Sequence, residues 1–295
     1  MAVARETELY PPVKKFFSSR GYEVKAEVRG CDLVAVRPDE PEPTIVEMKK
    51  IFTLPLLLQG IDRQKTGASV WLAVERNRTK KGAHNQRYAD LTALCRRLGL
   101  GFLTVTFYKT KEPVVDVWCE PGKIGLPAAP AGLTGIATAG SARPDAPLAA
   151  ESAAGYAAAA APPARRSRKA AARLLREFEA RSGDYNVGGS TRRKLVTAYR
   201  ERAIQCALAL CCHGPSSPKR VRELTGSPSA GSMLRDNHYG WFAKVEKGVY
   251  RLTAAGASAL REYRDVTEVW VARFPWAAGW EAAGEAALTR EELRR

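Results

Sequence analysis

An aspartate, Asp32, and a Glu-x-Lys triplet, Glu47-Met48-Lys49, are the residues in this 295-residue chain best suited to chemistry. Hydrolysis of a phosphodiester needs an in-line water and a way to neutralise charge on the phosphorane, and an oxygen-ligated Mg²⁺ serves both. Carboxylates must then converge on one point. An Asp at the start of one strand and a Glu within the next can do this, because adjacent strands lie only about 4.8 Å apart. Lys49 lies two residues after Glu47, so it shares a face of that strand and places an ammonium beside the ion and the attacking water. Glu-x-Lys by itself is a weak signal. The plainer alternative is a solvated strand face with Asp32 as a turn residue.

The elements that must position these residues are legible around them. Tyr22 to Val28 alternates, Asp32 to Val36 is largely apolar, and Thr44 to Lys49 alternates again, which predicts three strands. A helix precedes them, with Val13, Phe16 and Phe17 on one face and a stop near Gly21. After them the pattern predicts a helix over Leu54 to Lys65, a strand over Ser69 to Val74, a helix over Tyr88 to Leu98 and a strand over Gly101 to Tyr108. The order is αβββαβαβ.

With Gly30-Cys31-Asp32 followed by Glu47-Met48-Lys49 in that order of elements, the first module resembles the PD-(D/E)XK superfamily of restriction-endonuclease-like phosphodiesterases. Glu6-Thr7-Glu8-Leu9-Tyr10-Pro11-Pro12-Val13-Lys14, Gly21 to Lys25, Cys31 to Ala35 and Leu56 to Gly60 look like an uncharacterised bacterial family within it. The resemblance implies an αβββαβ core, Mg²⁺ or Mn²⁺ held by Asp32 and Glu47, and Lys49 at the water or the transition state. It also implies that Glu8 is the carboxylate from the first helix and that Gln59 is the glutamine some members place near the site. Cys31 stands where the superfamily has its Pro. Arg63 stands where an aromatic residue is often found, and is expected at a phosphate.

The chain carries 47 Lys and Arg against 31 Asp and Glu, a formal charge of +16, which makes a polyanion such as DNA the expected partner. The excess is uneven: +5 over residues 1–122 and +13 over 165–264. Between them, 122–164 is almost entirely Ala, Pro, Gly, Ser and Thr, which predicts a disordered linker. The expected organisation is therefore a nuclease-like domain over 1–121, the linker, a basic domain over 165–264, and a Trp-rich segment over 265–295 that covers part of it.

In the basic region, Arg192 to Cys212 has helical spacing and stops at Gly214-Pro215. Ser217-Pro218 and Ser227-Pro228 each read as an N-cap followed by Pro, opening two short helices, the second through about His238. Trp241 to Thr253 reads as two strands about Glu246-Lys247-Gly248, with Thr253 capping a further helix. This succession, with its Gly248 to Gly256 run, resembles winged helix-turn-helix domains. The resemblance places Ser229, Ser232, Arg235 and Asn237 toward the major groove, and Arg220, Lys244 and Lys247 at phosphates. Arg165-Arg166-Ser167-Arg168-Lys169 could add phosphate contacts.

Six cysteines without a CxxC pair, and the lack of a signal peptide or long apolar span, point to a reducing cytoplasm and away from a membrane. Cys211-Cys212-His213 has no second ligand pair, so the zinc alternative is the weaker one. Two readings of function stand open: an Mg²⁺-dependent DNA endonuclease or repair-associated nuclease, and a non-catalytic DNA-binding or regulatory protein built on the same scaffold. A homodimer is compatible with either.

Overall fold

The order in which strands are laid down decides which residues face each other, and here that order is simple. In the computed structural model, which describes residues 4–76, 87–122, 167–190 and 194–284, six strands form one sheet in sequence order. They are β1 (Glu23–Val28), β2 (Cys31–Val36), β3 (Thr44–Lys49), β4 (Ser69–Glu75), β5 (Gly101–Thr106) and β6 (Val114–Cys119). β2 and β3 pair antiparallel, β3–β4–β5 run parallel, and β6 returns antiparallel to β5. The parallel strands are near-continuous apolar runs, as strands covered on both faces must be. The parallel connections carry α2 (Leu54–Gln64) and α3 (Tyr88–Arg97).

The chain divides into two compact units that interleave along the sequence. One comprises Met1–Val24, Cys31–Arg173 and Gly188–Ser190; the other comprises Lys25–Gly30, Leu174–Val187 and Thr191–Arg295. The expected linker over 122–164 lies, apart from Gly122, outside the described residues, as do Arg165, Arg166, Arg192 and Arg193.

In the first unit a 3₁₀ turn (Glu6–Leu9) leads into α1 (Tyr10–Ser18). Pro11 and Pro12 open this helix rather than break it, because a missing N–H costs nothing in the first turn. Val13 and Phe17 are buried as expected. Phe16 is only half-buried, and the Arg20 guanidinium lies 3.4 Å from its ring centroid. α2 starts where Thr53 Oγ1 accepts the Leu56 N–H, and it turns Leu56, Leu57, Gly60 and Gln64 inward. Gly60 permits the close approach of helix to sheet: a Cβ there would lie 2.8 Å from Leu72 Cδ2. β6 was not anticipated. Its Val114 and Val117 are exposed, so its alternation gives no clear apolar face to read.

The second unit is centred on α5 (Ala198–His213), which is buried along most of its length and ends at Gly214, φ +71°. Around it lie α6 (Pro218–Thr225), α7 (Ala230–Asp236), the hairpin β7 (Phe242–Glu246) and β8 (Val249–Leu252), α8 (Ala254–Glu262) and α9 (Arg264–Arg273). Ser217 and Thr253 cap α6 and α8 with their side chains, as read from the sequence. Trp280 is buried in this core, and Trp270 and Trp276 lie against it. Before α5 runs α4 (Arg168–Ala180), after which the buried Arg181 guanidinium donates to the carbonyls of Ala26 and Glu27, both at 2.9 Å. Buried Lys25 answers with bonds to the carbonyls of Phe178 and Arg181.

Two expectations need correction here. The second Ser-Pro does not open a helix: Pro228 sits in a turn closed by the Ala230 N–H on the Ser227 carbonyl, 3.2 Å, and α7 starts at Ala230. Asn237 is not a groove-facing residue. It ends α7 in the left-handed region, φ +41°, and its amide clasps the Phe242 backbone, donating to the carbonyl at 2.6 Å and accepting from the N–H at 3.1 Å. Asn tolerates this conformation better than any branched residue. Asn237→Ala should cost about 1–3 kcal/mol in urea unfolding, from the lost bonds and the strained backbone. Asn237→Gly should cost less, because it keeps the left-handed conformation available.

Candidate active site

The β2–β3 register pairs Leu33 with Val46 and Val34 with Ile45, and continuing it by one residue sets Asp32 directly across from Glu47. Directly opposed residues of an antiparallel pair share a face with Cβ atoms about 5 Å apart. The two carboxylates are close enough to hydrogen-bond to each other. Glu47 is 2% exposed, so it is no solvated strand residue, and Asp32 is half-buried.

Neighbouring donors hold both carboxylates. Asp32 Oδ2 accepts the Met48 N–H at 2.7 Å, and the Gly189 N–H donates to the same carboxylate. Arg63 Nε, on α2, donates to Glu47 Oε1 at 2.6 Å. Burial pushes the Glu47 carboxyl up to about 7, helped by the Asp32 charge and opposed by the Arg63 guanidinium. Burial likewise raises Asp32, against the Met48 N–H and the charge of Lys49; the negative charge of Glu6 adds to the rise.

Lys49 follows on the same strand face as Glu47, with Nζ 3.7 Å from Glu6 Oε2. The acidic residue brought to this end of β3 is therefore Glu6, where the expectation was Glu8. Glu8 Oε1 instead accepts the N–H groups of Ala4 and Arg5, at 3.0 and 2.8 Å, at the start of the 3₁₀ turn. Residues two apart on a 3₁₀ turn point about 120° apart, and here Glu6 faces the site while Glu8 turns back to the start of the turn. Gln59 is exposed on α2. Arg63, expected at a phosphate, is engaged with Glu47. Arg63 and Glu6 in these roles, and Gly189 altogether, were missed from sequence.

Asp32 and Glu47 suit a hard divalent cation that keeps several waters, since such an ion takes one or two carboxylates. Burial, and after it the charge of Asp32, keep the Glu47 carboxyl raised, and a bound cation would offset both. Among the described residues no group of three or more His, Cys, Asp or Glu shares one point, so a cage built wholly from protein side chains is not what this site offers. Cys211 and Cys212 belong to the second unit's core, with Cys211 Sγ on the Trp280 carbonyl at 3.4 Å.

In the second unit, Arg220 on α6, Ser232 and Arg235 on α7, and Lys244 and Lys247 on the hairpin are all exposed. Ser232 Oγ donates to the Ser229 carbonyl at 3.0 Å, Ser229 Oγ lies 3.3 Å from Ser227 Oγ, and Arg235 Nε meets Asp236 at 3.0 Å. Among the described residues, no helix is long and apolar enough to cross a membrane.

A family model described as "Putative PD-(D/E)XK phosphodiesterase (DUF2161)" matches residues 149–259. That match supports kinship with the PD-(D/E)XK superfamily. It covers Gly189 and much of the second unit but not Asp32, Glu47 or Lys49. Neither the curated proteins nor the solved structures gave a match.

The Glu47 carboxyl gives a pH dependence whose sign is fixed. Its folded value, about 7, lies above the ordinary 4.5, so the folded protein holds a proton that the unfolded chain releases. Its contribution to stability is full below pH 4.5 and is lost as pH rises to about 7. Without divalent ions, unfolding by urea should show stability falling from pH 5 to pH 8, and Glu47→Gln should flatten that fall. Arg63→Ala should carry the fall to higher pH and so deepen it, since the guanidinium holds the carboxyl down.

Proposed function

We propose that the first unit is an Mg²⁺-dependent DNA endonuclease or repair-associated nuclease and that the second binds DNA as a winged helix. The observation that carries the proposal is the opposed pair across β2–β3, half-buried Asp32 and buried Glu47, with Lys49 on the same strand face as Glu47. The kinship with PD-(D/E)XK phosphodiesterases supports it.

Asp32 and Glu47 would hold Mg²⁺ or Mn²⁺, which when bound supplies positive charge at the scissile phosphate and activates water. Lys49 orients that water through its ammonium and stabilises negative charge as it develops. Glu6, 3.7 Å from Lys49 Nζ, keeps the ammonium at this end of the strand. Arg63 fixes Glu47 and favours its ionised form, the form a cation needs. Met48 and Gly189 do the same for Asp32 through their N–H groups.

In the second unit, α6 and α7 form the helix-turn-helix and β7–β8 the wing. Ser232 and Arg235 are the side chains left to read bases, with Ser229 at the helix start. Arg220, Lys244 and Lys247 meet phosphates, and the module raises the local concentration of DNA.

One observation favours a second reading, a non-catalytic DNA-binding protein on a nuclease scaffold: Arg63 already neutralises Glu47 at 2.6 Å. Incubation with supercoiled, linear and branched DNA in Mg²⁺ or Mn²⁺ separates the two. The nuclease reading predicts cleavage that falls at least about 100-fold in Lys49→Ala and in Glu47→Gln. Absence of cleavage on every substrate favours the scaffold, and cleavage that survives both changes places the activity elsewhere. In DNA-binding titrations, Lys247→Ala should lower the salt slope by about 1 on all sequences, whereas Arg235→Ala should weaken binding at a preferred sequence by about 1–3 kcal/mol. Identical, sequence-blind losses from both would contradict the winged-helix assignment.

A further inference from the structure

The segment Gly188–Gly189 lies more than 150 residues from Asp32 in sequence, yet belongs to the same compact unit. A Cβ on Gly188 would sit 2.5 Å from the Asp32 carbonyl oxygen, 2.6 Å from Met48 Cε and 2.8 Å from Tyr10 Cδ2. Real Cβ atoms do not come so near, and the nearest obstacle is backbone, which cannot swing aside. Only glycine lets the chain pass here. Gly189 then takes φ +74°, a conformation that side-chain-bearing residues rarely adopt, and its N–H donates to the Asp32 carboxylate. A Cβ on Gly189 would lie 3.4 Å from Glu6 Cβ, so the strap also lies against the residue that meets Lys49.

We propose that Gly188–Gly189 is a positioning element of the metal centre: Gly188 admits the strap against β2 and β3, and Gly189 donates its N–H to hold Asp32 in the orientation that binds the divalent cation. The inference rests on the metal-dependent reading of Asp32 and Glu47. Outer groups that hydrogen-bond a ligating carboxylate fix its direction, and their loss commonly weakens metal binding about 10–100-fold.

The test is Mn²⁺ binding to the full-length protein, followed by electron paramagnetic resonance, alongside thermal unfolding. Wild type, Glu47→Gln, Gly188→Ala, Gly189→Ala and Gly279→Ala are compared. Gly279 also has positive φ, +81°, with nothing within 4 Å of a built Cβ, so it controls for backbone strain alone. The expected result is Mn²⁺ binding by wild type and Gly279→Ala, none by Glu47→Gln, and at least about tenfold weaker binding by folded Gly188→Ala and Gly189→Ala. Cleavage by these two should be restored by raising Mg²⁺, which a merely unfolded fraction would not show. Wild-type affinity in both strap variants overturns the inference and leaves the metal centre standing. Wild-type binding no different from that of Glu47→Gln overturns the metal reading and the inference with it. If neither strap variant folds, amide exchange of wild type decides: Mg²⁺ should slow exchange in peptides covering residues 187–190, and unchanged exchange there overturns the proposal.

Discussion

Two carboxylates directly opposed across a pair of antiparallel strands, one of them almost wholly out of water, form an arrangement that a fold does not adopt without compensation. Like charges facing each other on a sheet destabilise it, and burial makes the repulsion worse. Asp32 and Glu47 are in that position, and much of what surrounds them answers it. Arg63 reaches from α2 to Glu47, the Met48 and Gly189 N–H groups reach Asp32, and Lys49 adds a positive charge on the same strand. Even so, burial keeps the Glu47 carboxyl near 7, so the compensation is incomplete. On the proposed reading, a divalent cation would complete it.

The rest of the first unit serves that placement. Parallel pairing of β3, β4 and β5 fixes the strand that carries Glu47 and Lys49 in the middle of the sheet. Gly60 lets α2 lie close to Leu72, which brings Arg63 within reach of Glu47. The 3₁₀ turn that leads into the proline-opened α1 presents Glu6 to Lys49. A change at any of these would be felt at the carboxylates without touching them.

What the sequence makes legible is local. Alternation delimits β3 to the residue, and helical spacing from Leu54 marks α2, so Asp32, Glu47 and Lys49 can be set on neighbouring strands before any coordinates are known. Glu6 against Glu8 is not legible, because both are acidic and only the geometry of the turn decides which faces Lys49. Asn237 sits where a base-reading residue is expected, and its left-handed backbone, not its type, removes it. β6 escapes because its apolar side chains are half outside. Gly188 and Gly189 escape for a different reason: no periodicity links a glycine pair to an aspartate so far away, and only the folded chain brings them together.

Anomalous diffraction from crystals soaked in Mn²⁺ tests most directly whether the opposed carboxylates exist to share an ion. The account predicts a peak between Asp32 and Glu47, with a carboxylate oxygen of each at about 2.2 Å and Arg63 drawn off Glu47 or reoriented to its other oxygen. A map with no peak there at saturating Mn²⁺, and Arg63 still bonded to Glu47, would contradict it and leave a guanidinium-neutralised scaffold in its place.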